Sequence, residues 1–128
     1  MKVKTSELIG PALDCAVALA QGATNLKYDT IASWWFVLEG KDRTLSKGWS
    51  ASQSYNPSTN WAQGGVLIEQ EKIRCIPYSV EGAGWYACKD ALNFKEAGPT
   101  PLIAAMRCLV ASRLGDEVEI PNELQGVT

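Results

Sequence analysis

The chain contains no histidine, which removes the commonest general base and the commonest metal ligand together. It has no CxxC pair either. Its four cysteines stand singly at 15, 75, 88 and 108, beside the apolar residues Ala16, Ile76, Ala87 and Leu109. Such thiols are expected to be small core residues rather than metal ligands or a disulfide framework. The exception is Cys75 with Cys88, which would face each other if their strands paired in that register. No apolar run approaches the ~20 residues needed to span a bilayer. The alanine-rich segment behind MKVKTSEL resembles a leader, but Asp14 interrupts it and a patterned globular helix accounts for it better, so the protein is expected in the cytoplasm. Neither sign of charge dominates: 12 Lys and Arg stand against 14 Asp and Glu, a net charge of −2. Charges of both signs are interspersed, which argues against a nucleic-acid partner, because a backbone binder needs a basic stripe. Internal repeats and low-complexity tracts are also missing.

The 128 residues are 46% hydrophobic and 20% charged, an ordinary globular composition with room for one domain (1–128) and a real core. Lys2, Val3 and Lys4 read as a short extended start. Gly10-Pro11 opens a helix with Leu13, Ala16, Val17 and Ala20 on its apolar face, Asp14 favouring its N-terminal dipole and Gly22 ending it. A polar stretch runs to Thr30. Residues 31–39, IASWWFVLE, form a central strand, and 40–54 is a loop or a hairpin return. Residues 73–78 and 85–89 read as a hairpin turning through 81–84, with Pro77 placing its first strand at an edge or near its end. Residues 91–97 are polar and read as a loop. Thr100 caps a last helix that has Pro101 at its first position and Gly115 as its stop. Leu102, Ala105, Met106, Leu109, Val110 and Arg113 recur at three and four along it. The tail docks by Val118 and Ile120. The order predicts an α+β fold, about three helices packed on a small, mostly antiparallel sheet in a sandwich-like arrangement.

Residues 55–73, YNPSTNWAQGGVLIEQEKI, organise the rest. Asn56-Pro57 makes a turn, and Ser58 or Thr59 is placed to cap a helix. Trp61, Gly65 and Ile68, with Leu67, give that helix one face to bury. Gly64-Gly65 inside it costs about 1 kcal/mol per glycine relative to alanine, so another backbone or a ligand is expected close to that surface.

Three segments together resemble a known family. MKVKTSELIGPALDCAVA, YNPSTNWAQGGVLIE and GPTPLIAAMRCLVASRLGDEVEIP are similar to the NinX family of tailed-phage proteins and cover roughly half of the chain. The last is the most specific, being long and nearly uninterrupted. Cys15 stands where the family pattern usually has tryptophan, so one core contact there is repacked. The resemblance implies a phage accessory protein acting in the host bacterial cytoplasm. It supplies no reaction and no catalytic residues.

No catalytic constellation is evident, and a non-enzymatic role is expected. Ser58 and Thr59 have no base nearby in sequence, and Glu69 and Glu71 point to different faces of a helix. No cofactor or metal is expected. The sharper expectation is a nucleotide-like small ligand held between two helix N-termini that leave amides free. Its candidate residues are Tyr55, Asn56, Ser58, Thr59, Asn60, Trp61, Gly64 and Gly65 at the first helix start. Gly98, Thr100 and Arg107 complete the set at the second, and an exposed tryptophan at 34, 35, 49 or 61 would stack a base. The bland reading is that both ends are simply well capped, the tryptophans are core and Arg107 snorkels from a packed helix. The alternative function is contact with a host protein, or with a second copy, through exposed aromatics: Trp34, Trp35 and Trp49. Trp34 and Trp35 are adjacent, so they point to opposite faces of a strand, and helices covering both faces would hide them.

Overall fold

Each helix forms where the sequence supplies a start. The computed structural model describes residues 1–31, 33–46, 48–50, 52–78, 84–90 and 93–124. Helix α1 (Gly10–Ala20) has Pro11 in its first turn, α2 (Trp61–Glu71) is capped by Asn60, and α3 (Pro101–Leu114) by Thr100. The α2 cap differs from the expected Ser58 or Thr59: the Asn60 side chain accepts from the Ala62 amide at 2.9 Å, while 57–59 form a separate turn. Gly115 ends α3 at φ +94°, a conformation glycine adopts without steric cost.

Among the described residues, eight strands accompany the helices: β1 (Lys2–Lys4), β2 (Thr24–Asp29), β3 (Ser33–Leu38), β4 (Lys41–Thr44), β5 (Arg74–Pro77), β6 (Trp85–Lys89), β7 (Phe94–Gly98) and β8 (Glu117–Glu119). The fold is α+β, and the antiparallel strands divide into three small sheets: β1–β8, the meander β2–β3–β4 and the meander β5–β6–β7. The polar stretch before Thr30 is in fact strand β2, and Phe94–Gly98, read as loop, is strand β7. Neither carries the apolar alternation that marks a half-buried strand. β2 is largely exposed and is held by pairing with β3, through a register shift between Thr24 and Lys27, and by Leu26 against the core. The expected hairpin return at 40–54 is β4. Pro77 lies at the end of edge strand β5. The turn expected at 81–84 falls largely outside the described residues, as do 91 and 92.

Helices α1 and α3 are buried nearly all round and pack on one another inside the main apolar cluster. More of α3 is covered than its expected face, because Ala104, Cys108 and Ala111 are buried as well. The cluster runs from Leu8 to Leu124, with Phe36 and Leu38 from β3, Tyr55, and Val118 and Ile120 from the tail. Val3 pairs with Val118, so the two ends of the chain lie side by side. Thr5 adds a bond from its hydroxyl to the Gly115 carbonyl at 2.7 Å.

All four cysteines are free, and three of them are fully buried. Cys75 pairs with Ala87, and Cys88 with Arg74. That register puts the two thiols on opposite faces of the sheet, so they do not face each other across the strands. Burial, reinforced by Asp14, pushes the Cys15 thiol up to about 12, and burial first of all does the same to Cys108.

Candidate functional site

The two helix starts do meet. Ser58, Thr59 and Trp61 from the first line one recess of about 380 Å³ with Thr100, Pro101, Leu102 and Ile103 from the second. What fixes them together is Gly64: a Cβ there would overlap the Pro57 carbonyl oxygen and lie 2.5 Å from Leu102 Cδ2. Backbone, not ligand, is therefore what approaches the double glycine. Gly65 has only Trp61 Cε3 nearby, at an ordinary 3.7 Å.

Most of the polar groups around this recess are already engaged. Thr100 Oγ1 accepts the Ile103 amide at 3.1 Å, and Asn60 takes the Ala62 amide. Gln63 clamps the preceding loop, its Oε1 accepting from the Asn56 amide and its Nε2 donating to the Ser54 carbonyl, both at 2.7 Å. The Asn56 carbonyl accepts the Thr59 and Asn60 amides. Asp14, expected to serve its own helix, instead accepts the Ser58 amide at 2.8 Å in the interior. Pro101 has no amide to offer. No cation lines the recess, and a buried carboxylate stands behind it, so this geometry suits an apolar group better than a phosphate. Ser58 Oγ is buried without a hydrogen-bond partner among the described residues.

The other expected ligand residues are used elsewhere. Arg107 donates from Nε to the Leu8 carbonyl and from Nη1 to the Ala97 carbonyl, each at 2.8 Å, tying β7 to the segment before α1. Burial lowers its pKa, with Glu96 opposing. A Cβ on Gly98 would meet the Ala104 amide nitrogen at 2.7 Å, so Gly98 serves strand-to-helix contact. Tyr55 is buried edge-on to Phe36 with the Arg43 guanidinium 4.9 Å from its ring centroid. Arg43 also donates to the Gln53 and Ser54 carbonyls.

A larger cleft, about 760 Å³, lies on the β2–β3–β4 meander. Register builds it. Trp35 pairs with Lys27, Ser33 with Asp29 and Val37 with Asp42, so these side chains share one face. Phe36 and Leu38 take the other face into the core, and Trp34 shares it, edge-on to Tyr28 at 5.5 Å. Of the adjacent tryptophans, Trp35 therefore belongs to the outer face. Trp49 closes against it at 5.6 Å, nearly perpendicular, and donates to Gln53 Oε1 at 2.7 Å. Gln53 lines the cleft together with Asn25, Lys27, Asp29 and Asp42. The Trp35 indole N–H is buried and has no hydrogen-bond partner among the described residues. Sequence reasoning placed Trp35 as an interface anchor or a stacking ring for the helix-end ligand, and missed the cleft it lines. The signal was present in parity: positions 34, 36 and 38 are all strongly apolar, whereas 33, 35 and 37 begin with serine.

A family model described as Bacteriophage P22, NinX matches residues 4–113. The chain belongs to the NinX family. Membership makes it a phage-associated protein. The match spans α1, both meanders and nearly all of α3, so the recess and the cleft both lie within the NinX region. A search of curated proteins finds no match. Among the described residues, no helix of this NinX-family protein is long and apolar enough to cross a membrane.

Proposed function

We propose that this NinX-family protein acts in the host cytoplasm by binding rather than by catalysis, and that the β2–β4 cleft takes a small planar polar ligand of the nucleobase or nucleotide class. The observation that carries this reading is the Trp35 indole N–H, a donor left without a partner among the described residues, in the wall of the cleft on the β2–β3–β4 meander. A buried donor without an acceptor costs about 1–3 kcal/mol, which a ring nitrogen or carbonyl of a bound base recovers on displacing the side chains that cover the N–H. Lys27 on the same face supplies a cation, and Asp29, Asp42, Gln53 and Asn25 supply acceptors for exocyclic amines. Sequestering such a ligand in an infected cell, including one used in host defence, is the role this chemistry fits.

The test is a thermal-shift screen against nucleosides and mono-, di- and cyclic nucleotides. A positive ligand should bind the Trp35→Phe variant about 2- to 10-fold more weakly, because an aromatic ring remains while one hydrogen bond of about 0.5–1.5 kcal/mol is lost. A flat screen, or unchanged affinity in Trp35→Phe, rejects the cleft.

A second reading has its own observation. The solvent side of α2 carries Trp61 at 58% and Val66 at 51% exposure, large apolar groups of the kind that anchor protein contacts. If the partner is a host protein, Trp61→Ala abolishes its capture and leaves nucleotide-induced shifts untouched.

A further inference from the structure

The second meander, β5–β6–β7, has one face on α3: Gly98 abuts Ala104, Cys75 Sγ contacts the Pro101 carbonyl, and Trp85 and Phe94 pack against the core. Its other face is built in rows set by register. Arg74, Cys88 and Lys95 form one row, and Ile76, Tyr86 and Ala97 the next. Tyr78 follows, its amide bonded to the Gly84 carbonyl at 3.1 Å. Cys88 is buried yet stands outside the main apolar cluster, as a residue on this face should. The two tyrosine rings lie 5.3 Å apart, and Lys95 Nζ sits 4.5 Å from the Tyr86 centroid. Neither Arg74 nor Lys95 has an ion pair among the described residues, and these rows hold no Asp or Glu.

We infer that this face is a docking surface for single-stranded nucleic acid, a site separate from the cleft. Charge complementarity selects the occupant. Arg74 and Lys95 occupy the two outer strands, about 10 Å apart at the usual strand spacing, in the row beside an aromatic pair, and neither row on this face contains an acidic residue. Cations that follow a backbone, beside aromatic rings on which bases stack, are the recurring elements of sequence-tolerant single-strand sites. The net charge of −2 does not oppose this, because acids among the described residues gather elsewhere: Glu96, Asp116 and Glu117 group beside β1 and β8, and Asp29 and Asp42 belong to the cleft. Duplex DNA does not fit, since its bases present no free faces to the tyrosines.

Fluorescence anisotropy of the full chain with a short labelled oligothymidine, and with single-stranded RNA of the same length, tests the inference. With two phosphates neutralised, the log–log salt slope should be about −1.4, so affinity falls about 7-fold between 50 and 200 mM salt. Arg74→Ala and Lys95→Ala, at exposed positions that leave the fold intact, should each reduce the slope by about 0.7. Tyr86→Ala should weaken binding about 5- to 140-fold, and Tyr86→Phe should retain it. Absence of salt-dependent binding, equal affinity for a duplex, or binding indifferent to Arg74 and Lys95 overturns the assignment. Nucleotide shifts in the cleft are read on the same variants and should not change, so failure of one site is distinguishable from failure of the other.

Discussion

Replacing Gly64 and Gly65 one at a time by alanine separates packing from propensity within a single helix. Both glycines sit in the interior of α2, so each substitution gains about 1 kcal/mol of helix propensity. At Gly65 the new methyl meets only Trp61 Cε3 at 3.7 Å, an ordinary contact, so Gly65→Ala should stabilise by about 0.5–1 kcal/mol. At Gly64 the methyl collides with the Pro57 carbonyl oxygen and with Leu102 Cδ2 at 2.5 Å. Overpacking costs about 1–3 kcal/mol, and the upper end applies because one obstacle is backbone. That backbone cannot shift cheaply, since the Ser58 amide holds the turn to buried Asp14 at 2.8 Å. After the propensity gain is subtracted, Gly64→Ala is destabilised by about 2 kcal/mol, and the two variants differ by about 3 kcal/mol. For a chain of this size that corresponds to roughly 10 °C in melting temperature. Urea titrations with unchanged m values, checked by calorimetry, give the comparison. If Gly64→Ala melts with or above Gly65→Ala, α2 is not seated on Leu102 and the turn, and the recess between the helix starts loses its structural basis.

The α2 cap gives a second contrast: Asn60→Ala should cost about 1 kcal/mol, whereas Ser58→Ala, which deletes a buried hydroxyl without a partner, should be neutral or stabilising, both read by urea midpoint. Glu71 accepts from Lys89 Nζ and from Arg113 Nη2, each at 2.7 Å, and the Lys89 hydrogen bond foremost holds its carboxyl below the usual range against the opposing effect of burial. A carboxyl with a depressed folded pKa contributes stability above its unfolded pKa and loses that contribution as pH falls through the folded value. Glu71→Gln should therefore cost about 1–2 kcal/mol at neutral pH, and its stability should fall less than that of the parent as pH drops below about 4.5; parallel pH curves would refute the assignment.

How far the sequence could be read depends on where the deciding signal lay. Helix α3 was legible because Thr100, Pro101 and Gly115 are local signals whose chemistry acts within one turn, and the structure uses all three. That the two helix starts share a recess is expected from their caps, and Gly64-Gly65 marks a surface that another backbone or a ligand would approach. The chemistry of that recess was not legible. Asp14 lies 44 positions before Ser58, and Arg107 reaches the Leu8 carbonyl 99 positions away, so only the fold reveals that one carboxylate backs the recess and one cation is spent elsewhere. β2 and β7 escaped for a related reason: their pairing is decided by neighbours, not by their own patterns.

The same distinction separates the two candidate sites on the meanders from the one at the helix ends. A helix start advertises itself in sequence because caps are written into consecutive residues, and it is satisfied by those same residues. Asn60 and Thr100 each take up one of the amides that would make their helices attractive to an anion. A sheet face is assembled instead from alternate residues of strands far apart in the chain, and nothing local obliges its groups to find partners. Trp35, with Lys27 across from it, and Tyr86, between Ile76 and Ala97, are arrangements of that second kind. The donor and the cations left without ion pairs on them are accordingly better markers of a ligand than the capped ends, where most polar groups already have partners.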